Sequence, residues 1–217
     1  MKLNKRKKYL QIALNNTLEE ASRIIGQLPK SERILIEVGT PLIKIYGKNA
    51  ISKMKFLSKG SYVVADTKCA DLAQREVLMA VQAGASALTC LGVAPVETID
   101  CFIKECQQNR IDSMVDMMNV PDAVAVLQQL KKPPDVVILH RGVDETEFSK
   151  EKQIPFYQIN QIKDNFDIFV SVAGGDTIDE VQRAILNGAD IVVVWKAFYQ
   201  SLGDSALLAQ EFLKEIR

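Results

Sequence analysis

The chain has 217 residues, 47% of them hydrophobic and 25% charged, with Lys+Arg and Asp+Glu balanced at 27 each. This is the composition of an ordinary globular protein with room for one well-buried core or two small ones. The balance leaves no overall basic field, which argues against a nucleic-acid partner, and no apolar run approaches the roughly 20 residues that would span a bilayer.

Residues 1–8 carry five cations. Without a following apolar region or a small-residue cleavage site they read as a solvated basic tail, not a secretory signal. Tyr9–Leu14 is then a short apolar run closed by Asn15-Asn16, and Thr17-Leu18-Glu19-Glu20 has capping-box spacing ahead of Leu18, Ala21, Ile24, Ile25 and Leu28 at helical period. A strand followed by a helix is expected, and the pattern repeats. Residues 34–39 are strand-like, and residues 47–57 predict a helix with Ala50, Ile51, Met54 and Leu57 on one side. The third strand is predicted over 62–66 and its helix over 71–83, closed by Gly84 where a left-handed C-cap is wanted.

In the second half, residues 87–92 precede a helix over 95–107, with Pro95 near a start where its missing N–H costs little. Residues 111–117 precede 121–130, and 136–140 precede a polar loop and a weaker helical segment near 149–163, interrupted by Pro155. Residues 168–173 lead through Gly174-Gly175 into a second capping box, Thr177-Ile178-Asp179-Glu180, whose helix ends at Gly188. Residues 191–195 precede the last helix, 204–216. Cys69, Cys90, Cys101 and Cys106 form no Cys-x-x-Cys pair and read as free thiols in a reducing cytoplasm.

Eight strand–helix units with strands rich in Val, Ile and Leu imply a parallel sheet covered by helices. At roughly 27 residues per unit they suit a single-domain (β/α)8 barrel over residues 1–217, and Gly-x-Gly-x-x-Gly is absent after the first strand, against a Rossmann arrangement. A barrel concentrates function at the C-terminal ends of its strands. Those ends carry Asn15, Glu37, Asp66 with Lys68 and Asp71, Gly92, Asp116 with Asn119, His140 with Arg141, Gly174-Gly175, and Trp195-Lys196.

Asp66 and Lys68, two apart on a strand, point the same way as Tyr62 and Val64. The plainer alternative is a salt-bridged strand end with Asp71 as the N-terminal charge of the next helix. The clustering of polar groups at one end of apolar strands favours a site. Glu37 and Asp66, from neighbouring strands, offer hard oxygen ligands for one Mg²⁺. Lys68 between two carboxylates should stay protonated and act as a fixed cation or proton donor, not a Schiff-base amine. His140, the one imidazole in the chain, suits either general acid–base work or a structural role. Gly174-Gly175 before a capped helix suits a phosphate or a plain tight turn, and Lys196 in the next loop favours phosphate.

The segments Leu10-Gln11-Ile12-Ala13-Leu14, Glu37-Val38-Gly39-Thr40-Pro41-Leu42-Ile43-Lys44, Asp66-x-Lys68-x-x-Asp71, Val115-Asp116-Met117-Met118-Asn119-Val120, His140-Arg141-Gly142-x-Asp144 and Ala173-Gly174-Gly175 resemble the orotidine-monophosphate decarboxylase superfamily. Within it they look most like the 3-hexulose-6-phosphate synthases. The resemblance implies a homodimer in which Glu37 and Asp66 bind Mg²⁺, Lys68 stabilises an enediolate, Asp71 reaches the partner's site and His140 moves protons. It implies a reversible aldol addition of formaldehyde to ribulose 5-phosphate. The related 3-keto-gulonate-phosphate decarboxylases carry arginine three residues after the histidine, where this chain has Val143, and orotidine-monophosphate decarboxylase itself uses Asp-Lys-Asp without metal. The chain departs from the superfamily at Asn15, where the first strand usually ends in aspartate, at Trp195, where a phosphate-binding glycine is usual, and at Lys196, which is arginine in some relatives. A barrel that has lost catalysis and binds a phosphate ligand is the reading those departures allow.

Overall fold

The computed structural model describes residues 3–149, 153–200 and 204–216. Its strands are β1 (Tyr9–Leu14), β2 (Ile34–Val38), β3 (Val63–Cys69), β4 (Ala87–Leu91), β5 (Asp112–Asp116), β6 (Val136–His140), β7 (Phe169–Ala173) and β8 (Ile191–Val194). They pair in parallel in sequence order, and β1 closes on β8, giving the expected eight-stranded barrel. The helices are α1 (Leu18–Gln27), α2 (Thr40–Tyr46), α3 (Lys48–Leu57), α4 (Ala73–Gln82), α5 (Val96–Gln108), α6 (Ala123–Gln129), α7 (Val143–Phe148), α8 (Tyr157–Asn165), α9 (Ile178–Leu186), α10 (Lys196–Gln200) and α11 (Ser205–Glu215).

Strand alternation sorts the core into two shells. Leu10, Ile12 and Leu14 of β1 and Ile34, Ile36 and Val38 of β2 face outward into the layer shared with the helices, among Ile24, Met54, Phe102 and Phe212. Tyr9, Leu35, Tyr62, Val64, Met114, Val136, Phe169 and Ile191 face inward and fill the N-terminal half of the barrel. Towards the C-terminal end the inward positions turn polar, with Gln11, Glu37, Asp66, Thr89 and Asp116 all buried. That change along the axis places the site.

The structure adds three helices that periodicity did not reveal, α2, α7 and the five-residue α10. Helix α2 begins directly after β2 with Pro41 in its first turn, where proline's fixed φ suits a helix start. It buries Leu42 and α7 buries no residue, so neither has the apolar stripe that marks an amphipathic helix. Helix α4 starts at Ala73, two residues past Asp71, with Leu72 as its N-cap in a left-handed conformation at φ 53°. Asp71 therefore does not form the first turn of that helix. The capping box at Thr177 and Glu180 is present as expected.

Residues 4–6 are exposed, and three cations of this basic stretch have acidic partners; residues 1 and 2 lie outside the described residues. Lys5 pairs with Asp167, Lys7 with Glu32 at 2.5 Å and Lys8 with Asp190 at 2.8 Å. The Asn4 N–H donates to the Tyr9 hydroxyl at 2.7 Å. The cations settle there because acidic residues from the segments before β2, β7 and β8 face them at the N-terminal end of the barrel. Of the cysteines, Cys69, Cys90 and Cys106 are buried and Cys101 half-buried, all four as free thiols.

Candidate active site

The C-terminal mouth of the barrel holds a cavity of about 440 Å³, within the range of small-molecule sites. Asn15, Glu37, Asp66, Lys68, His140, Gly174 and Lys196 line it, as the sequence suggested, together with Gln11, Thr40, Thr89, Asp116, Arg141, Asp176 and Trp195. Asp71 is exposed and Gly175 lies off the cavity wall, so these two expected residues do not join the cavity of their own chain.

Asp66 and Lys68 do project to one side, but by an irregular route. The β3–β4 register shifts between Ala65 and Cys69, and Lys68 sits at φ 50°, a left-handed conformation uncommon for a side chain of its size. Thr89 of β4 braces the shift: its hydroxyl donates to Asp66 Oδ1 at 2.7 Å and accepts the Lys68 N–H at 3.0 Å. From the first residue of α2 the Thr40 hydroxyl donates towards the Asp66 main-chain oxygen at 2.7 Å and Oδ2 at 2.8 Å. Glycine, threonine and proline in the segment after Glu37 thus have separate physical jobs. Gly39 admits a close approach by Asn15, Thr40 clamps Asp66, and Pro41 starts α2; a Cβ on Gly39 would meet Asn15 Oδ1 at 1.7 Å.

Lys68 Nζ lies 3.2 Å from Asp66 Oδ2 and 2.9 Å from Asp116 Oδ2. Burial favours the neutral amine, but the charges of Asp66 and Asp116 outweigh it and raise the lysine pKa, so Lys68 stays an ammonium. Asp116 is the residue whose importance the sequence left unread. Its Oδ2 also meets His140 Nδ1 at 2.8 Å, and its Oδ1 accepts the Met118 N–H at 2.9 Å. Burial would push the Asp116 carboxyl up, yet the His140 hydrogen bond and the charges of His140 and Lys68 hold it at about 2. Burial likewise favours neutral imidazole, but Asp116 prevails and raises the His140 pKa. An acceptor at Asp116 puts the proton on Nδ1 and leaves Nε2 as the nitrogen for ligand chemistry.

Glu37 and Asp66, both buried, come from adjacent strands. Desolvation first, and the Asp66 charge second, raise the Glu37 pKa to about 7, against a Gln11 Nε2 hydrogen bond of 2.5 Å and the nearby cations. Two buried carboxylates opposing one another are what a hard divalent cation would relieve, and Mg²⁺ commonly takes one or two carboxylates with water and substrate oxygens completing its shell. No group of three or more histidine, cysteine, aspartate or glutamate side chains fit to hold a metal occurs among the described residues. The donor pair fits Mg²⁺.

The opposite wall is different. The N–H groups of Asp176 and Thr177, at the start of α9, go to Glu180 Oε2 at 3.0 and 3.1 Å. Those of Trp195 and Lys196 go to Asp176 Oδ1 at 2.6 and 2.8 Å. Lys196 Nζ stands 3.8 Å from Glu147 and 5.7 Å from the Trp195 ring centre. Among the described residues Gln11 Oε1, Arg141 Nε and Trp195 Nε1 have no hydrogen-bond partner though buried, and all three residues line the cavity.

A closed (β/α)8 barrel with an aspartate-flanked lysine, a histidine and a buried carboxylate pair at its strand ends defines a class of barrel with one polar site built for charged chemistry. Residues 8–209 match the model of the orotidine 5'-phosphate decarboxylase / HUMPS family, and the chain belongs to that family. It is 39% identical over 211 residues to the bifunctional enzyme Fae/Hps of Methanothrix thermoacetophila and 38% identical over 209 residues to that of Methanosarcina barkeri, covering 96% of this chain in each case. It spans only about half of those enzymes, 53% and 52%. The crystal structure of 3-hexulose-6-phosphate synthase from Salmonella typhimurium superposes with a TM-score of 0.86 at 30% identity, covering 96% of this chain and 98% of that one.

Proposed function

We propose that this chain is a carbon–carbon lyase of the 3-hexulose-6-phosphate synthase type, reversibly joining formaldehyde to ribulose 5-phosphate. The observation that carries the reading is the Lys68 ammonium fixed between Asp66 and Asp116, with His140 on the same Asp116 oxygen. Glu37 and Asp66 would hold Mg²⁺, whose chemistry is to polarise a carbonyl. His140 Nε2 takes the proton from the ketose carbon beside the carbonyl. Lys68 donates to the oxygen on which negative charge then develops, an interaction that strengthens in a dry cavity. The carbon nucleophile attacks the formaldehyde carbon, one C–C bond forms, and the former carbonyl oxygen of formaldehyde receives the proton from His140. Asp116 keeps the imidazole in the tautomer that can do both. Likeness to the named relatives and the fit of this geometry support the substrate.

The arrangement also suits a homodimer in which exposed Asp71 enters the partner's cavity, and a cytoplasmic setting for four free thiols. No described helix is long and apolar enough to cross a membrane. A decarboxylase acting on 3-keto-gulonate 6-phosphate would use the same ammonium, but Val143, on the cavity wall three residues after His140, offers no guanidinium, and Glu37 and His140 in the cavity do not suit one acting on orotidine monophosphate. The test is formaldehyde consumption by the purified protein with ribulose 5-phosphate, with Mg²⁺ and again with EDTA. Consumption requiring both sugar and metal is expected; none under either condition overturns the reading.

A further inference from the structure

The sequence placed a phosphate at the turns after β7 and β8, and the structure puts a carboxylate there. Two consecutive main-chain N–H groups, Trp195 and Lys196, converge on Asp176 Oδ1 at 2.6 and 2.8 Å. Converging N–H groups on one oxygen are how proteins hold an oxyanion, and charge makes such bonds short. Asp176 is half-buried and lines the cavity, so its negative charge faces the space a ligand would enter. The turn that presents it is fixed by Gly174 at φ 105°, where a Cβ would come within 2.5 Å of the Arg141 oxygen.

A second feature of this wall is a surplus of donors. Among the described residues Arg141 Nε and Trp195 Nε1 have no hydrogen-bond partner, and both residues line the same cavity. Among the described residues the Lys196 ammonium, half-buried, approaches Glu147 at 3.8 Å and makes a distant ring contact. Arg141, Trp195 and Lys196 thus share the cavity lining with a carboxylate that already occupies two main-chain amides. A phosphate group entering here either displaces that carboxylate or settles beside it against charge repulsion. Both weaken binding.

We propose that Asp176 is an internal anion that competes with the ligand's phosphate for the N–H groups of Trp195 and Lys196, and so sets the site's affinity for phosphorylated ligands. The proposal rests on the reading that this wall receives a phosphate, but not on the carbon chemistry. Its test uses inorganic phosphate, titrated into the unchanged protein, Asp176→Ala and Asp176→Asn by calorimetry, with amide resonances followed by ¹⁵N NMR. Removing the charge should tighten phosphate binding by on the order of tenfold or more. The Trp195 and Lys196 amides should move on binding. Asp176→Asn keeps an oxygen for both amides and separates loss of charge from loss of the turn should the alanine variant misfold. Phosphate affinity that stays the same or weakens in the folded variants overturns the proposal, as does tighter binding that leaves those two amides unmoved. Tighter binding by the variants of a protein that consumes no formaldehyde would sink the aldolase and leave this inference standing.

Discussion

Strand β5 carries an aspartate at each end, and the two differ in what they are for. Asp112 and Asp116 lie on the same inward face as Met114, and both are buried, at 3% and 1% exposure. At the N-terminal end the Tyr62 hydroxyl donates to Asp112 Oδ2 at 2.6 Å. Burial first, and the Asp112 charge next, push that phenol well above its ordinary pKa, so its proton stays in place. At the C-terminal end Asp116 is held by an ammonium and an imidazole, both of which carry exchangeable charge. Residue type and burial are equal, so the partners alone separate a structural carboxylate from one that governs proton positions.

That contrast can be broken most sharply at Asp116. Asp116→Asn should keep the fold but lower turnover by on the order of a thousandfold, because it removes the charge that Lys68 and His140 share, leaving Lys68 with Asp66 alone and the imidazole with at most a neutral acceptor. Steady-state formaldehyde kinetics read the effect, and turnover within a few-fold of the unchanged protein would show that Asp116 belongs with Asp112. Asp112→Ala should do the reverse. It leaves the Tyr62 hydroxyl buried without this acceptor at a cost of about 3 kcal/mol, read as a lower urea midpoint, while activity per folded molecule stays within about twofold.

The smallest effect is a pH dependence. Asp116 titrates at about 2 in the fold against an ordinary 3.8, so across that window the unfolded chain binds more protons and stability rises with pH. The contribution is fully present above about pH 4 and lost as pH falls towards 2, on the order of 2 kcal/mol. His140 works in the opposite sense. Its raised pKa gives stability that is present below its ordinary 6.5 and lost as pH rises through the folded value. Urea midpoints across acid pH should show the Asp116 slope in the unchanged protein and lose it in Asp116→Asn.

The barrel was legible because strand and helix signals are local: every expected strand is present, with ends shifted by at most a few residues. The charged groups on β3 were legible for the same reason, since alternation puts Asp66 and Lys68 on the face of Tyr62 and Val64. Helices α2, α7 and α10 escaped because each is short and buries at most one residue, and burial is what writes a period into sequence. Asp116 escaped for a different reason. Its partners are 48 and 24 residues away, and only closure of the barrel brings them together. The Asp176 bonds to Trp195 and Lys196 span 19 and 20 residues across the β7–β8 unit, and a turn carboxylate gives no sign of where it will reach.

Gly39 has a consequence for descent. A Cβ there would fall 1.7 Å from Asn15 Oδ1 and 3.0 Å from the main-chain oxygen of Leu14, so the two positions cannot drift independently. An alanine at 39 requires the Asn15 side chain to turn away or position 15 to shrink, and the Leu14 oxygen at 3.0 Å must yield as well. Asparagine and aspartate share one outline, so position 15 can exchange one for the other while glycine stays where it is. Substitution at the end of the first strand is thereby channelled: its charge is open to inheritance, its size is not.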